Sequence, residues 1–210
     1  MKKTELLSIF DPQAIAKAHA IIRSGGLIAF PTDTVYGLAC DPWNAQAILA
    51  LYEAKRRPPD KAIPVLIGDM EQLDLVASQI NPKAAHIASL FWPGALTILL
   101  TKVESLPPVL SQYPNVGIRM PDHPALLVLL NTTGPLAATS ANLSGSANLV
   151  SAEEVFSQFN GRLDLVLDGG ETAGDMASTV VDCTGGELII LRQGPIPASE
   201  LISAWYELHL

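Results

Sequence analysis

Cations at particular places are the first chemistry this sequence offers. Lys55, Arg56, Arg57 and Lys61 put four of the 13 Lys and Arg residues into one seven-residue window. A helix C-terminus tolerates positive charge, so a solvated helix end is one reading of the run. Pro58-Pro59 stiffens the segment and favours a second reading. Lys55 and Arg57, two apart in an extended turn, then face one side together and clamp a polyphosphate. Residues 104–210 hold only three cations, Arg119, Arg162 and Arg192, against twelve Asp and Glu. Arg119 ends the apolar run Val116-Gly-Ile118, and Arg192 ends the run 188–191. An arginine at a buried strand end suits a carboxylate or phosphate ligand; a structural ion pair with a nearby acid suits it equally. Arg162, in an Asn-Gly-Arg turn, reads as solvated.

Two polar segments accompany these cations. Pro31-Thr-Asp-Thr-Val-Tyr-Gly-Leu38 follows a short apolar run. Its hydroxyls and carboxylate either line a crevice at a strand's C-terminal end or satisfy an ordinary turn. Thr139-Ser-Ala-Asn-Leu-Ser-Gly145 places Ser140 and Asn142 alternately at a strand end. Small residues there admit a flat or anionic ligand and offer directed hydrogen bonds, and they are also common turn residues. The phosphate loop G-x-x-x-x-G-K-[ST], the dinucleotide fingerprint G-x-G-x-x-G, H-E-x-x-H and G-x-S-x-G are all missing. His19, His86, His123 and His209 form no cluster in the sequence and read as surface or capping residues. Cys40 and Cys183 match no metal spacing and read as small buried apolar residues.

The elements that position these residues follow from periodicity and breakers. Asp11-Pro12 opens a helix, with Ala14, Ile15, Ala18, Ile21 and Ile22 at helical spacing and Gly25-Gly26 stopping it. A strand over 27–30 ends at Pro31. Asn44 caps a second helix with Ile48, Leu49, Leu51 and Tyr52 inward, running to Lys55. Strands are expected over 63–67, 95–101, 116–120, 136–139, 163–167, 178–183 and 187–191. Helices are expected over 69–78, 82–91, 123–130 and 197–208, with Ser151-Ala-Glu-Glu154 as a capping box for another. Helices and strands interleave without strict alternation. The expectation is an α/β (α+β) fold: one domain over 1–210, a twisted mixed sheet with flanking helices, and a ligand crevice at strand ends.

Composition narrows the class. The chain has 210 residues, 49% hydrophobic and only 16% charged, enough for one sizeable core and unlike disorder or coiled coil. No apolar run approaches the ~18 residues of a membrane helix. The segment 6–10 is too short for a signal core, so a cytoplasmic protein is expected. The net charge of −8 disfavours nonspecific nucleic-acid binding.

Taken in order, the motifs resemble a family. Pro31-Thr-Asp-Thr-Val-Tyr-Gly-Leu38, Lys55-x-Arg57 with Pro58 and Lys61, Trp92-Pro-Gly94, Arg119-x-Pro-x-His-Pro124, Ser140-x-Asn142, Asp168-Gly-Gly170, Ser178-Thr-Val-Val181 and Arg192-x-Gly194 form a series similar to the YrdC-like threonylcarbamoyl-AMP synthases. The similarity runs over about 14–195 and covers the catalytic domain only. Lys61-Ala-Ile63 departs from the family's Lys-Pro-Leu, and Ser146-Ala-Asn-Leu149 departs from its Ser/Thr/Pro-rich turn.

The resemblance implies synthesis of threonylcarbamoyl-AMP and pyrophosphate from L-threonine, bicarbonate or CO2, and ATP. The product would serve N6-threonylcarbamoyladenosine modification of tRNA. It implies a nucleotidyltransferase with Lys55, Arg57, Ser140 and Asn142 catalytic. ATP would be held by Lys55, Arg57, Lys61, Ser140, Asn142 and Arg192. Threonine would be held by Thr34, Leu66, Arg119, Ala138 and Ser178. Mg²⁺ is expected with ATP, carried by phosphates and water rather than by a carboxylate cage. The implied downstream partner is a tRNA threonylcarbamoyl transferase complex, with weak direct tRNA contact also admitted. An RNA-binding paralogue without synthase activity, and a carbamoyl-transfer domain like those of hydrogenase-maturation proteins, are the alternative readings.

Overall fold

Asp11 accepts a hydrogen bond from the Gln13 N–H at 2.8 Å, and Pro12 follows it, which starts helix α1, Pro12–Arg23. Proline in the first turn loses no intrahelical bond, and the aspartate satisfies one orphan donor. The computed structural model describes residues 3–58, 60–173 and 176–207. Pro59, Leu208 and His209, on which expectations were placed above, lie outside the described residues.

Around α1 the chain runs β1 (Glu5–Ser8), β2 (Ile28–Phe30), β3 (Gly37–Cys40), α2 (Ala45–Lys55), β4 (Val65–Leu66), α3 (Leu73–Val76) and α4 (Pro82–Phe91). It continues through β5 (Leu96–Thr101), β6 (Asn115–Arg119), α5 (Pro124–Thr133), β7 (Leu136–Ser140), α6 (Ala152–Phe159) and β8 (Leu165–Asp168). It closes with β9 (Thr179–Asp182), β10 (Ile189–Arg192) and α7 (Ala198–Glu207). The strands form one ten-stranded mixed sheet in the order β1-β8-β2-β3-β7-β4-β6-β5-β9-β10.

Register decides what reaches the site. Ile98 of β5 pairs with Ile118 of β6, and Thr97 pairs with Val180 of β9. Side chains alternate between the two faces of a strand. Leu96, Ile98, Leu100, Val116, Ile118 and Val181 therefore join the larger core, with residues of α2, α3, α4, α6 and α7. Thr97, Leu99, Gly117, Arg119 and Val180 face the other way. On that other face α1 and α5 build a second core over Ile28, Phe30, Leu136, Ala138, Leu165 and Leu66. Leu66 pairs with Arg119. Beyond this pair the second core stops, and the same face of the sheet lines a cavity.

The mixed sheet with flanking helices is the one expected from the sequence; several details are not. β1 and β3 were not foreseen, because β3 is small (Gly-Leu-Ala-Cys) and adjoins the polar segment that was read as a loop. The strand expected over 63–67 shrinks to two paired residues. The helix expected over 69–78 shrinks to the single turn α3. Leu49, expected inward, is exposed on α2. The capping box of α6 forms as read: Ser151 Oγ accepts from Glu154 N, and Glu154 reaches back to Ser151 N.

One close approach ties the last strands to the site. A Cβ on Gly194 would lie 2.2 Å from Thr179 N, 2.5 Å from Ser178 C and 2.6 Å from Ala177 O, all backbone atoms that cannot swing away. The buried Thr179 hydroxyl accepts from Gly194 N and Ile196 N at 3.0 and 3.1 Å and holds the two segments together. Gly194→Ala must push them apart, at a cost of about 3 kcal/mol, the upper end for overpacking. A urea denaturation midpoint equal to the parent's would show that the contact yields easily.

Candidate functional site

The cavity has a volume of about 430 Å³. Its floor is the open sheet face: Leu66, Thr97, Leu99, Gly117, Arg119, Ala138 and Val180. Thr32, Thr34 and Val35 enter from the β2–β3 loop, Arg57, Ala62 and Pro64 from the α2–β4 loop, and Ser140 from the end of β7. Tyr113 and Asn115 flank one side, and Ala177, Ser178 and Arg192 close another. Three arginines and no Asp or Glu line it among the described residues. In a chain of net charge −8 this concentrates positive potential at one place.

Arg119 is the most constrained of the three. It ends β6, is 7% exposed, and places three donors on protein oxygens. Nη2 donates to Asp33 Oδ1 at 2.6 Å, Nη1 to Thr34 Oγ1 at 3.1 Å and Nε to the Gly94 carbonyl at 3.0 Å. Burial lowers its pKa, and Asp33 opposes the shift. A guanidinium has five N–H donors, so two remain for a ligand. The ion pair and the cavity lining thus coexist. Asp33 is the carboxylate of the 31–38 segment that was read as lining a crevice or satisfying a turn; its pairing with Arg119 was not foreseen.

Arg192 has no carboxylate partner among the described residues. Its Nε and Nη2 donate to the Ser178 carbonyl at 3.1 and 2.8 Å, and Nη2 lies 3.3 Å from Ser178 Oγ. Burial lowers its pKa first, and repulsion from Arg119 lowers it further. Ser178 Oγ in turn lies 2.8 Å from Thr97 Oγ1. Thr97 was missed from the sequence. Its signal was a lone hydroxyl in the middle of an apolar strand run, 95–100, where a buried strand prefers none. Tyr113 and Asn115 were also missed, and only the fold brings them to the cavity, whereas Thr32 belongs to the 31–38 segment whose hydroxyls were offered as lining a crevice.

The Lys55–Arg57 pair behaves differently from expectation. Arg57 does line the cavity, braced by Nε to the Lys61 carbonyl at 3.1 Å and Nη2 to the Ala62 carbonyl at 2.9 Å. Lys55 does not share its side. It is 1% exposed, and its ammonium donates to the Ser140 carbonyl, to the Asn142 carbonyl at 2.7 Å and to Asn142 Oδ1 at 3.2 Å. Arg56 takes a left-handed conformation, φ 51°, and ends α2. The chain therefore turns between Lys55 and Arg57: the ammonium is taken up by the 140–142 oxygens while the guanidinium lines the cavity. Burial, with the Arg57 charge adding to it, lowers the Lys55 pKa to about 7. The clamp and the solvated helix end are both corrected for Lys55. Lys61 is exposed beside the braced Arg57 and is not part of the lining. Asn142 is buried behind Ser140, whose Oγ donates to Asn142 Oδ1 at 2.6 Å. Arg162, read as solvated, is exposed yet donates to the Ala54 carbonyl at 3.2 Å.

His123 caps α5: its Nδ1 accepts from Leu126 N at 3.2 Å, and burial lowers its pKa, which keeps that nitrogen free to accept. The thiols of Cys40 and Cys183 are buried, and burial pushes both up to about 12, so neither is a nucleophile at neutral pH. Thr34, Leu66, Arg119, Ala138 and Ser178 meet in the cavity, with Arg57, Ser140 and Arg192 around them.

Comparison with known proteins shows the family of the chain. The Sua5/YciO/YrdC family model, described as "Telomere recombination", matches residues 20–194. The threonylcarbamoyl-AMP synthase of Bacillus subtilis is 41% identical over 210 residues, covering 99% of this chain and 60% of that protein. The threonylcarbamoyl-AMP synthase of Pseudomonas aeruginosa is 34% identical over 185 residues, covering 88% of this chain and 98% of that protein. The crystal structure of Pyrococcus abyssi Sua5 complexed with L-threonine superposes with a TM-score of 0.91 at 37% identity, over 96% of this chain and 61% of that one. The chain thus spans about 60% of the length of its longer relatives and nearly all of a shorter one. A match over 175 consecutive residues that includes every cavity segment makes this chain a member of the Sua5/YciO/YrdC family.

Proposed function

We propose that the chain is a threonylcarbamoyl-AMP synthase, joining L-threonine, CO2 or bicarbonate, and ATP. The observation that carries this reading is the cavity itself: three arginines, a ring of hydroxyls and no carboxylate among the described residues, on the open face of a sheet in an acidic chain. The names of the relatives and the threonine-bound Pyrococcus abyssi structure support it.

In this reading the threonine amine adds to the carbon of CO2, releasing a proton and giving a carbamate. A carbamate oxygen then attacks the α-phosphorus, and the bond to pyrophosphate breaks. The substrate supplies its own nucleophile, so the protein needs only to position the reactants and neutralise phosphate charge. Arg119, held by Asp33, offers its two remaining N–H groups to the threonine carboxylate. Thr34 and Ser178 offer hydroxyls, and Leu66 and Ala138 form the apolar wall. Arg57, Ser140 and Arg192 face the phosphates, and the exposed Lys61 meets the triphosphate at the rim. Asn142 acts from behind Ser140.

Mg²⁺ fits as an ion carried in by ATP. No group of three or more His, Cys, Asp or Glu residues able to hold a metal occurs among the described residues, and the described lining offers neutral side-chain oxygens, the hydroxyls and the Asn115 amide, but no carboxylate. When bound, such an ion would neutralise phosphate charge; Ser140 is the lining oxygen nearest in role to it. The product, a mixed carbamic–phosphoric anhydride, is reactive, and its consumer in this reading is a tRNA threonylcarbamoyl transferase complex in the cytoplasm. No helix among the described residues is long and apolar enough to cross a membrane.

Pyrophosphate release should require ATP, threonine and bicarbonate together. A product assay by mass spectrometry checks it, and equal release without threonine would remove the synthase reading. A second outcome concerns Arg119. Its removal to Ala would also leave Asp33 unpaired in a largely buried place, at a cost of about 3 kcal/mol in stability. Arg119→Lys keeps the charge but loses the fork that reaches Asp33, Thr34 and Gly94 together. Threonine affinity should fall about ten- to a hundredfold, equivalent to roughly 1.5–3 kcal/mol, with ATP affinity changed less than about threefold. Calorimetric titration of each ligand decides it. Loss of ATP affinity with threonine unchanged would place Arg119 among the phosphate ligands.

A further inference from the structure

The deepest cation among the described residues, Lys55 at 1% exposure, lies outside the cavity lining. Lys55 is buried, and an ammonium has three N–H donors. All three are accounted for by the Ser140 carbonyl, the Asn142 carbonyl and Asn142 Oδ1. None is left for a phosphate. The backbone of the same residue also holds the same loop, because Ser144 N donates to the Lys55 carbonyl at 3.0 Å. Asn142 then passes the constraint on: its Oδ1 accepts from Ser140 Oγ at 2.6 Å, and its Nδ2 donates to the Ser146 carbonyl at 2.6 Å. The last turn of α2 thus grips segment 140–146 by side chain and main chain together. Ser140 is the member of that segment that lines the cavity.

We propose that Lys55 is a positioning residue for the nucleotide end of the site: it touches no substrate and fixes the 140–146 loop that presents Ser140. The inference rests on the synthase reading for its kinetic consequences and on geometry alone for the loop. The physical reason for a lysine is the donor count. Three oxygens converge on one buried ammonium, and an apolar side chain there would take a donor from each: Asn142 Oδ1 would keep only Ser140 Oγ, the Ser140 carbonyl would keep Asn142 N, and the buried Asn142 carbonyl would lose the lysine that satisfies it. A compact ammonium with three donors meets that requirement, whereas the planar fork of an arginine does not.

The test uses Lys55→Met, which keeps length and apolar bulk while removing the donors, and Asn142→Ala, which removes one acceptor and the link to Ser140. Hydrogen exchange is measured on the ligand-free full chain. In both variants the amides of 140–146 should exchange at least about tenfold faster than in the parent, with the amides of β5 and β6 unchanged. With MgATP and threonine, the KM for ATP should rise about tenfold while the KM for threonine stays within about twofold, because the Arg119–Asp33 end is untouched. Unchanged loop exchange would overturn the proposal whatever the kinetics, and a higher ATP KM with an intact loop would make Lys55 a phosphate ligand. Faster exchange with both KM values raised alike would reduce Lys55 to general stability and would overturn it too. If Lys55→Met fails to fold, Asn142→Ala decides by the same criteria. The exchange measurement needs no turnover, so a parent without synthase activity would remove the proposed function while the loop result still stood.

Discussion

A guanidinium at 7% exposure on an open sheet face is the constraint around which the site is arranged. A buried arginine without a partner would be strongly unfavourable, and it cannot escape by losing its proton. Asp33 makes Arg119 admissible, and Asp33 is delivered by the turn between β2 and β3. That turn is itself fastened by Thr32, whose Oγ1 accepts from Thr34 N and Val35 N at 3.1 and 3.2 Å. The order of strands follows the same need. β2 and β3 lie on one side of β7-β4-β6 and β5-β9-β10 on the other. The cavity forms where the second core ends, so the ion pair spans the boundary between covered and uncovered sheet.

The two ends of the cavity are held by different chemistry. Around Arg119, fixed charge opposes fixed charge. Around Ser140, a hidden ammonium opposes only carbonyl and amide oxygens. Arg192 stands between these solutions: Ser178 holds it, and no acid among the described residues does. A half-buried cation beside another cation, with no anion of its own, raises the local potential and favours an anionic ligand. No Asp or Glu among the described residues lines the cavity; even Asp33, at its edge, is already paired. Binding a polyphosphate therefore needs no rearrangement of protein charge in this geometry.

Much of this was legible in the sequence. Caps and breakers such as Asp11-Pro12, Asn44, Ser151-x-x-Glu154 and Gly25-Gly26 are local signals, and the structure uses each of them at or within a residue of its place. Strand ends were legible as well, which is why Arg119, Ser140, Ser178 and Arg192 converge. β3 was not, because Gly-Leu-Ala-Cys has weak strand propensity and becomes a strand only between β2 and β7. Lys55 was misread for a related reason. Spacing predicts neighbours along a helix or an extended turn, but Arg56 adopts a left-handed conformation that no pattern of charges announces. Thr97 and Asn115 are brought in by pairing across β5, β6 and β9, and non-local register is invisible to a single sequence.

The distribution of titratable groups fits the chemistry as well as the fold. Reactions that rely on a side-chain nucleophile or base need a group whose pKa lies near neutrality and whose atom faces the substrate. Here Lys55, lowered to about 7 by burial and by the Arg57 charge, has its nitrogen on Ser140 and Asn142 oxygens and does not line the cavity. His123 has its Nδ1 engaged at the start of α5, and the two thiols and Tyr36 are raised to about 12 by burial. Tyr36 donates its hydroxyl proton to the Gly170 carbonyl at 2.7 Å and accepts from Gly169 N at 3.3 Å, so its hydroxyl is engaged in holding the turn after β8. What faces the cavity instead is a set of arginines, charged at any physiological pH, and neutral hydroxyls. Such a lining does not exchange protons with a ligand as pH changes; it supplies fixed charge and fixed direction. A reaction in which one substrate carries its own nucleophile and the other its own leaving group needs those two things, and a sheet face left bare at the right place can provide both.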